Sequence, residues 1–310
     1  MENNIPYWNA EAILKKLPYE NFVPYLERFL QQPAQVPERP HYTTHAGPPS
    51  HDLLLMPAWD QEQLGVKMVT VHPDNPIQGL PAIQGLYVLF SARTGSPLAI
   101  MDAASLTARR TAAASVVAAR FLARSDAKRL LILGTGRLST ELAQAYQTFF
   151  PLESIQIWGR NYDKAQRKTQ ILQEMGINAL PIRDLEAAVP QADIISSATS
   201  SFQPIVHGEW LQTGQHIDLI GSYRKDQREA DDEVIRRCEV YLDTWQGLEE
   251  SGDLYQPLET GILHKEDIRA TLLDLCRRKH AGRHSNAEIT LFKSVGFAQE
   301  DLAAARFLLL

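Results

Sequence analysis

The sequence has very little cysteine and no apolar run long enough to cross a membrane. Only Cys238 and Cys276 occur among 310 residues, and they form no CxxC pair. Neither a disulfide framework nor a metal site is therefore predicted, and a reducing compartment fits best. No apolar run approaches the roughly 18 residues of a membrane span. Because Met1–Ala10 is polar and acidic, where a signal peptide is basic and then apolar, we expect a cytoplasmic protein.

The sequence also lacks an excess of basic residues. The formal net charge is -6 and both signs are interspersed, so there is no broad basic face. Nucleic acid and membrane surfaces are not expected as partners. The content of 44% hydrophobic and 22% charged residues is typical of a soluble globular protein, and the length predicts two domains.

The N-terminal part favours short helices followed by a mostly antiparallel sheet. Residues 6–32 have apolar positions at helical spacing, interrupted by Pro18 and Pro24, which predicts one or two helices. Residues 33–49, rich in Pro, His and Thr, form either a loop or an irregular edge strand. Short β-branched or aromatic runs separated by turn residues predict four strands, at Leu53–Met56, Val66–Val71, Leu86–Phe90 and Leu98–Met101.

A helix predicted over Leu106–Ala123 separates this part from an alternation of strands and helices. The alternation of β and α segments indicates a parallel sheet. The predicted strands are Arg129–Leu133, Ser154–Trp158, Asp193–Ser197, His216–Ile220 and Val240–Asp243, and the predicted helices between them are Thr140–Phe149 and Asp163–Met175. The final Phe292–Leu310 is predicted to be a helix that packs against the first domain.

A glycine-rich turn follows the first of these parallel strands directly. In Gly134-Thr135-Gly136-Arg137-Leu138-Ser139, two glycines permit a tight turn and a close approach to a pyrophosphate. The N–H groups at the start of the next helix attract the same anion. Ser139 replaces the third glycine of the usual pattern. The context predicts a Rossmann-type dinucleotide-binding domain; the alternative is a plain glycine-rich turn.

The end of the second parallel strand indicates which dinucleotide binds. An acidic residue about 20 residues past the first glycine would bond the ribose 2′-hydroxyl of NAD. Gly159 and Arg160 occupy this place. A guanidinium suits a 2′-phosphate, so we expect NADPH, with NADH as the alternative. A solvated surface arginine is the other interpretation of Arg160.

Several segments are similar to those of one protein family. They are Leu55-Met56-Pro57-Ala58, Leu64-Gly65-Val66-Lys67, Pro73-Asp74-Asn75-Pro76, the run from Leu106 to Ser115, and Phe292-Lys293-Ser294-Val295-Gly296. Through them the sequence resembles the ornithine cyclodeaminase and mu-crystallin family from about Val36 to Leu309. The resemblance implies a homodimer with its active site in a cleft between two domains. The fold class is then α/β, with a Rossmann-type domain over 113–285 and a mostly antiparallel α+β substrate and dimerisation domain over 1–112, joined by a C-terminal helix over 286–310.

The resemblance implies that Arg39, Lys67 and Arg110 contact the substrate carboxylate or its neighbours. An Arg fork binds a carboxylate bidentately, and a charge at Arg110, in an otherwise apolar helix, needs a partner. Arg109 is expected to point away. Lys67 is otherwise a surface lysine, and Arg39 a solvated loop residue. Gln84 lines the pocket in relatives, or is a satisfied polar residue on a sheet face.

The resemblance also places further residues at the coenzyme. The cofactor-binding set is Thr111, Gly134, Thr135, Gly136, Arg137, Leu138, Arg160, Ala198, Thr199, Ile220, Ser222 and Ser294. Three acidic residues, Glu249, Glu250 and Asp253, fall near the cleft in relatives, although a solvated acidic loop is an equal interpretation.

One departure from the family pattern bears on the reaction. True cyclodeaminases have an aspartate after the glycine of the strand that ends near the nicotinamide, whereas Ser222-Tyr223 follow Gly221 here. Asp226 is too far along to substitute. Deamination needs a positioned base, so we expect a reductase instead.

The expected reaction is reduction of a cyclic imino acid, Δ1-pyrroline-2-carboxylate or Δ1-piperideine-2-carboxylate, to L-proline or L-pipecolate. NADPH would supply the hydride, and Lys67 and Arg110 are the catalytic residues, with Lys67 relaying a proton. The alternatives are an amino acid dehydrogenase acting on a 2-oxo acid and ammonia, an ornithine cyclodeaminase, and an NADPH-binding protein with little turnover.

Overall fold

The computed structural model describes residues 5–47 and 49–310. Residues 1–4, which belong to the segment used to predict the absence of a signal peptide, lie outside the described residues, as does Pro48. The chain divides into two compact units. Unit 1 comprises residues 1–110 and 297–310, and unit 2 comprises residues 111–296.

Unit 1 contains one six-stranded sheet. Its strands are β1 (Tyr7–Trp8), β2 (His41–His45), β3 (His51–Trp59), β4 (Gln63–Val71), β5 (Ile83–Ser91) and β6 (Pro97–Asp102). They lie in the order β1-β6-β5-β4-β3-β2, and all neighbours are antiparallel except β1 and β6. The predicted antiparallel sheet is therefore confirmed. In the segment predicted to be a loop or an edge strand, β2 is an edge strand whose register with β3 shifts.

Helices cover the buried face of this sheet. Two of them, α1 (Ala10–Lys16) and α2 (Tyr19–Phe29), lie between β1 and β2 in the chain, and α3 (Ala103–Leu122) follows β6 and continues into unit 2. The C-terminal helix, α11 (Ala298–Phe307), packs against α2, β3 and β4. Its Phe307 ring lies edge-on to Tyr25, with a centroid distance of 5.0 Å. Residues 298–305 are all buried, so α11 has no solvent-facing side over that stretch.

Unit 2 contains an eight-stranded sheet that is parallel throughout. Its strands are β7 (Arg129–Leu133), β8 (Ser154–Trp158), β9 (Ala179–Pro181), β10 (Ile194–Ser197), β11 (His216–Leu219), β12 (Glu239–Leu242), β13 (Ile268–Thr271) and β14 (Thr290–Lys293). Their order is β13-β12-β14-β11-β10-β7-β8-β9. The order reverses between β7 and β10, and in such sheets ligands bind outside the carboxyl ends of the strands at the reversal. The Rossmann-type fold class is confirmed.

Seven helices of unit 2 are α4 (Arg137–Phe149), α5 (Tyr162–Glu174), α6 (Leu185–Ala188), α7 (Asp232–Arg237), α8 (Gly247–Glu250), α9 (Gly252–Glu259) and α10 (Leu272–Cys276). The core of the unit consists of aliphatic side chains from the parallel strands and these connections. Near-continuous apolar strands are typical of parallel sheets covered on both faces. Across residues 5–47 and 49–310 we find no helix with the length and apolar character of a membrane span.

The prediction of a helix over 286–310 is wrong in its first part. Thr290–Lys293 form β14, which is completely buried and lies between β11 and β12. Residues 286–296 therefore belong to unit 2, and only the segment from Phe297 onward joins unit 1. Only Leu291 and Phe292 of this segment are apolar, so it is too short for its periodicity to distinguish strand from helix. Pairing with two distant strands decides the outcome.

Candidate active site

Lys67 lies in the middle of β4 and is only 3% exposed. It faces the same side of the sheet as Met56 on β3 and Tyr87 on β5, which are its direct cross-strand partners. Its ammonium nitrogen lies 2.7 Å from Asp301 Oδ2, on α11. Lys67 is therefore the inward member of the strand and not a surface lysine.

Arg110, in α3, binds the same helix α11. Its Nε donates to Asp301 Oδ1 at 2.9 Å, and its Nη1 donates to Glu300 Oε2 at 2.6 Å. Arg110 is 4% exposed, and both carboxylates are fully buried. We call Lys67, Arg110, Glu300 and Asp301 the buried charge cluster. A guanidinium has five N–H donors, so these two bonds do not exhaust its capacity.

Burial and the neighbouring charges set the protonation of the buried charge cluster. Burial, together with the positive charges of Arg110 and Arg39, lowers the pKa of Lys67 from 10.5 to about 8, and Asp301 partly opposes this change. Burial would raise the pKa of Asp301, but Arg110 and Lys67 outweigh it and hold that pKa below its usual value. Lys67 is thus mostly protonated near neutral pH and able to lose its proton in mildly alkaline solution.

The other predicted substrate residues of unit 1 fall in different places. Arg39 is half-buried, and its Nη1 lies 4.0 Å from the sulfur of Met56, the residue directly opposite Lys67. Arg109 turns away from the buried charge cluster, since its Nη2 donates to the carbonyl of Leu14 at 3.2 Å.

Gln84, predicted either to line the substrate pocket or to be a polar residue on a sheet face, does not join the buried charge cluster. It pairs with Thr70, three residues along β4 from Lys67, and is exposed on the other face of the sheet. Side chains alternate between the faces of a strand, so an odd separation puts two residues on opposite sides. Sequence similarity located the strand but not the face of the sheet on which Gln84 lies.

In unit 2, the glycine turn after β7 has the backbone that a dinucleotide requires. Gly134 has a φ of +121°, and a side chain there would also meet the carbonyl oxygen of Ala198 at 2.8 Å. The Ser139 hydroxyl, in the place of the third glycine, donates to the carbonyl of Gly134 at 2.7 Å. Helix α4 begins at Arg137 without a side-chain cap on its first N–H groups, and the space beside Gly136 is open. This helix start fits an anionic pyrophosphate.

A pocket of about 260 Å³ lies at the carboxyl ends of β7, β8 and β10. Its lining residues are Gly134, Thr135, Trp158, Gly159, Arg160, Asn161, Lys164, Ala198, Thr199, Ser200, Ser201 and Ile205. Five members of the predicted cofactor set line it, namely Gly134, Thr135, Arg160, Ala198 and Thr199. Lys164, which the sequence interpretation missed, adds a second cation beside Arg160, and no acidic side chain is among the lining residues. Arg160 lies in the connection between β8 and α5, and Lys164 lies in the first turn of α5.

The remaining predicted cofactor residues lie outside the pocket lining. Gly136, Arg137 and Leu138 form the start of α4, while Thr111 is buried in α3. The Ser222 hydroxyl donates to the carbonyl of Gln227 at 2.8 Å and lies 3.0 Å from the Ser251 hydroxyl. The Ser294 hydroxyl donates to Asp243 at 2.9 Å. Ile220 is bound through its backbone N–H to Ser197.

A buried carboxylate, Glu229, organises the loops after β10 and β11. It accepts hydrogen bonds from the backbone N–H groups of Thr199, Gly221 and Ser222, at 2.9, 2.8 and 3.1 Å. Burial raises the pKa of Glu229, and Lys293 opposes that change. Gly221 approaches Thr199 so closely that a side chain at 221 would lie 2.0 Å from its carbonyl oxygen. These contacts fix the pocket loop that contains Thr199.

The three acidic residues predicted near the cleft differ in burial. Asp253 is completely buried; it binds Lys293 at 2.9 Å and the backbone N–H of Glu229 at 2.6 Å. Its interpretation as part of a solvated loop is therefore wrong. Glu249 is exposed and Glu250 half-buried, both in α8. Asp226 is paired with Arg224 at the surface.

Unit 2 has a dinucleotide-type pocket in a doubly wound sheet. Unit 1 is built on a mostly antiparallel sheet and contains a buried Lys–Arg–carboxylate cluster. Together these features define a two-domain protein of the dehydrogenase type. The chain matches the ornithine cyclodeaminase/mu-crystallin family over residues 8–309 and belongs to it. The resemblance inferred from the sequence motifs is confirmed.

Three individual proteins are similar to this chain over nearly its whole length. A Δ1-pyrroline-2-carboxylate reductase of Colwellia psychrerythraea is 35% identical to this chain over 96% of each chain. The structure of Thermococcus litoralis Δ1-pyrroline-2-carboxylate reductase in complex with NADH and L-proline is 32% identical, covering 98% of this chain and 96% of that one, with a TM-score of 0.92. An archaeal alanine dehydrogenase dimer with bound NAD is 28% identical, covering 98% and 94%, with a TM-score of 0.91.

Proposed function

We propose that this protein is an NADPH-dependent reductase of cyclic imino acids that converts Δ1-pyrroline-2-carboxylate, and its six-membered homologue, to L-proline and L-pipecolate. The main support is the 35% identity with the Colwellia reductase over nearly the whole of both chains. Ser222 adds support, because its hydroxyl is bonded to Gln227 and Ser251 where cyclodeaminases of the family have an aspartate. Without a carboxylate at this position, the strand end after Gly221 does not supply the base expected for ornithine deamination.

In the proposed mechanism, the residues of unit 1 hold the substrate and manage its proton. The N–H donors of Arg110 that remain beside its bonds to Asp301 and Glu300 bind the substrate carboxylate, and Arg39 adds a second guanidinium. Asp301 keeps Lys67 and Arg110 at fixed positions, 2.7 and 2.9 Å from its two oxygens. Lys67, with a pKa of about 8, supplies the proton that keeps the imine nitrogen cationic. NADPH, when bound, supplies the hydride.

The coenzyme would be held by unit 2. Its pyrophosphate fits the uncapped start of α4 at Gly136 and Arg137. The adenosine 2′-phosphate fits the pocket that Arg160 and Lys164 line. Thr199 is fixed by Glu229 and borders the same pocket.

The proposed homodimer has support in the exposed face of the unit 1 sheet. Tyr42, Met68 and Leu86 are 54%, 37% and 40% exposed and lie on that face together with Gln84. Contiguous exposed apolar side chains are typical of interaction surfaces.

The test is NADPH oxidation by the purified protein with Δ1-pyrroline-2-carboxylate and Δ1-piperideine-2-carboxylate, compared with pyruvate plus ammonia and with ornithine plus NAD. We expect the cyclic imines to give the highest kcat/KM. Activity restricted to pyruvate plus ammonia would replace the proposal by an alanine dehydrogenase, the candidate that the archaeal structure favours. Saturable NADPH binding without turnover on any of these substrates would support a binding protein.

The coenzyme proposal predicts a specific loss in the Arg160→Ala variant. We expect kcat/KM with NADPH to fall about 10- to 100-fold, because charge-assisted contacts to the 2′-phosphate are lost. The value with NADH should change little, and Lys164→Ala should show the same pattern. Arg167→Ala, which removes an exposed cation of the same helix outside the pocket lining, is the matched control. A wild-type preference for NADH that persists in Arg160→Ala would refute the coenzyme proposal.

A further inference from the structure

Three histidines lie side by side on neighbouring segments of the unit 1 sheet: His45 ends β2, His51 begins β3, and His72 directly follows β4. His45 pairs with His51 in the β2–β3 register, and His51 lies level with His72 because Asp52 pairs with Val71. The ring centroids are 5.2 Å apart for His45 and His51, and 4.3 Å apart for His51 and His72. The register thus gathers imidazoles from separate strands on one face of the sheet.

A carboxylate completes this group. Asp74 follows β4, and its Oδ1 lies 3.2 Å from Nε2 of His51. The oxygen is shielded from solvent and forms no aligned hydrogen bond with any residue in 5–47 or 49–310. The nearest polar atoms of His51, His72 and Asp74 all lie within 4.8 Å of one another. The nearest nitrogen to this shielded oxygen is His51 Nε2 at 3.2 Å, and a cation bound between the two groups would stabilise the carboxylate further.

We propose that His51, His72 and Asp74 form a binding site for a divalent transition-metal ion of the Zn²⁺ type. Two imidazole nitrogens and one carboxylate oxygen are ligands that such an ion prefers, whereas Mg²⁺ and Ca²⁺ select oxygen ligands. Ligand atoms around tetrahedral zinc lie about 3.3 Å apart, so small side-chain rotations close the observed group around an ion. Water fills the fourth position.

The proposed site is separate from the reaction assigned to this protein. None of its three residues belongs to the buried charge cluster or lines the unit 2 pocket. Its ligands lie at the start of β3 and directly after β4, so a bound ion would tie the turn at Asp74 to the sheet. The expected effect is on the stability of unit 1 and not on the chemical step.

Zinc titration of the full-length, chelator-treated protein by calorimetry tests the proposal. We expect the wild type to bind one equivalent of Zn²⁺ and its melting temperature to rise with zinc concentration. His72→Ala and Asp74→Asn should each weaken zinc binding at least tenfold and abolish the rise in melting temperature. The matched control is His207→Ala, which removes an imidazole paired with Asp231 at 3.0 Å but with no second histidine in the group. It should bind zinc as the wild type does.

Two results would overturn the proposal. One is a wild type that binds no zinc at millimolar concentration. The other is an equal zinc affinity of the wild type and the His51→Ala/His72→Ala double variant, which would place the zinc elsewhere and leave His51 and Asp74 as a simple ion pair. Melting temperatures measured without zinc, and imine reduction assayed in parallel, show that each variant is folded.

Discussion

Arg110→Ala is expected to lower kcat/KM for Δ1-pyrroline-2-carboxylate about 100- to 10,000-fold. The variant loses the charge-assisted bonds that we assign to the substrate carboxylate, each of which contributes roughly 1.5–3 kcal/mol. It also removes a cation that binds Asp301 at 2.9 Å and Glu300 at 2.6 Å, both fully buried. Breaking such a buried pair costs about 3–5 kcal/mol of stability. Steady-state kinetics and a denaturant titration measure the two effects.

Two further variants separate loss of function from loss of folding at Arg110. Arg110→Lys keeps the charge beside the carboxylates but lacks the planar fork, so it should be folded and still have a greatly raised KM for the imine. Arg109→Ala changes the adjacent residue, whose side chain binds Leu14 instead, and should retain near-normal kinetics. A folded Arg110→Lys protein with wild-type KM would contradict the assigned role.

Lys67→Met is expected to lower kcat about 100- to 10,000-fold and to change the pH profile. Methionine has a similar length but no proton to donate, and general acid catalysis typically contributes this much. In the wild type, the protonated fraction of Lys67 falls as pH rises through its pKa of about 8, so the rate should fall about tenfold per pH unit above that value. The variant should lack the part of the alkaline decline that Lys67 causes.

The comparison of pH profiles is needed because the imine substrate also loses its proton in alkaline solution. That loss affects the wild type and Lys67→Met equally, so the difference between the two profiles reports Lys67. Lys16→Met, which changes an exposed lysine of unit 1, is the control. Identical alkaline limbs in the wild type and Lys67→Met, or a variant kcat within a factor of two of the wild type, would contradict the assignment.

Arg110→Ala and Lys67→Met also test whether the residues of the buried charge cluster act together. Asp301 binds Lys67 and Arg110 through different oxygens, so removing either cation leaves the other in place. Because all three groups are in contact, their effects should not add, and the double variant should lose less than the product of the single losses.

Local features of the sequence were sufficient for the elements with strong patterns. The run Arg129–Leu133, followed directly by Gly134 and Gly136, predicted the first parallel strand and its turn, because apolar periodicity and glycine chemistry act over a few residues. The β-branched and aromatic runs Val66–Val71 and Leu86–Phe90, bounded by turn residues, likewise predicted the antiparallel strands. Motif similarity added Lys67 and Arg110, which proved to share the carboxylate of Asp301.

Contacts between distant segments decided the rest. Glu300 and Asp301 bind residues about two hundred positions earlier in the chain, and no local pattern relates them. Glu300 and Asp301 stand close together in a mostly apolar C-terminal segment. This pattern was a usable signal for a buried ionic site, since buried charges need partners. The strand at Thr290–Lys293 and the exposed face of Gln84 follow from sheet pairing and register. Propensity and periodicity describe neighbours along the chain, whereas burial, strand order and ion pairing are set only when separate segments pack together.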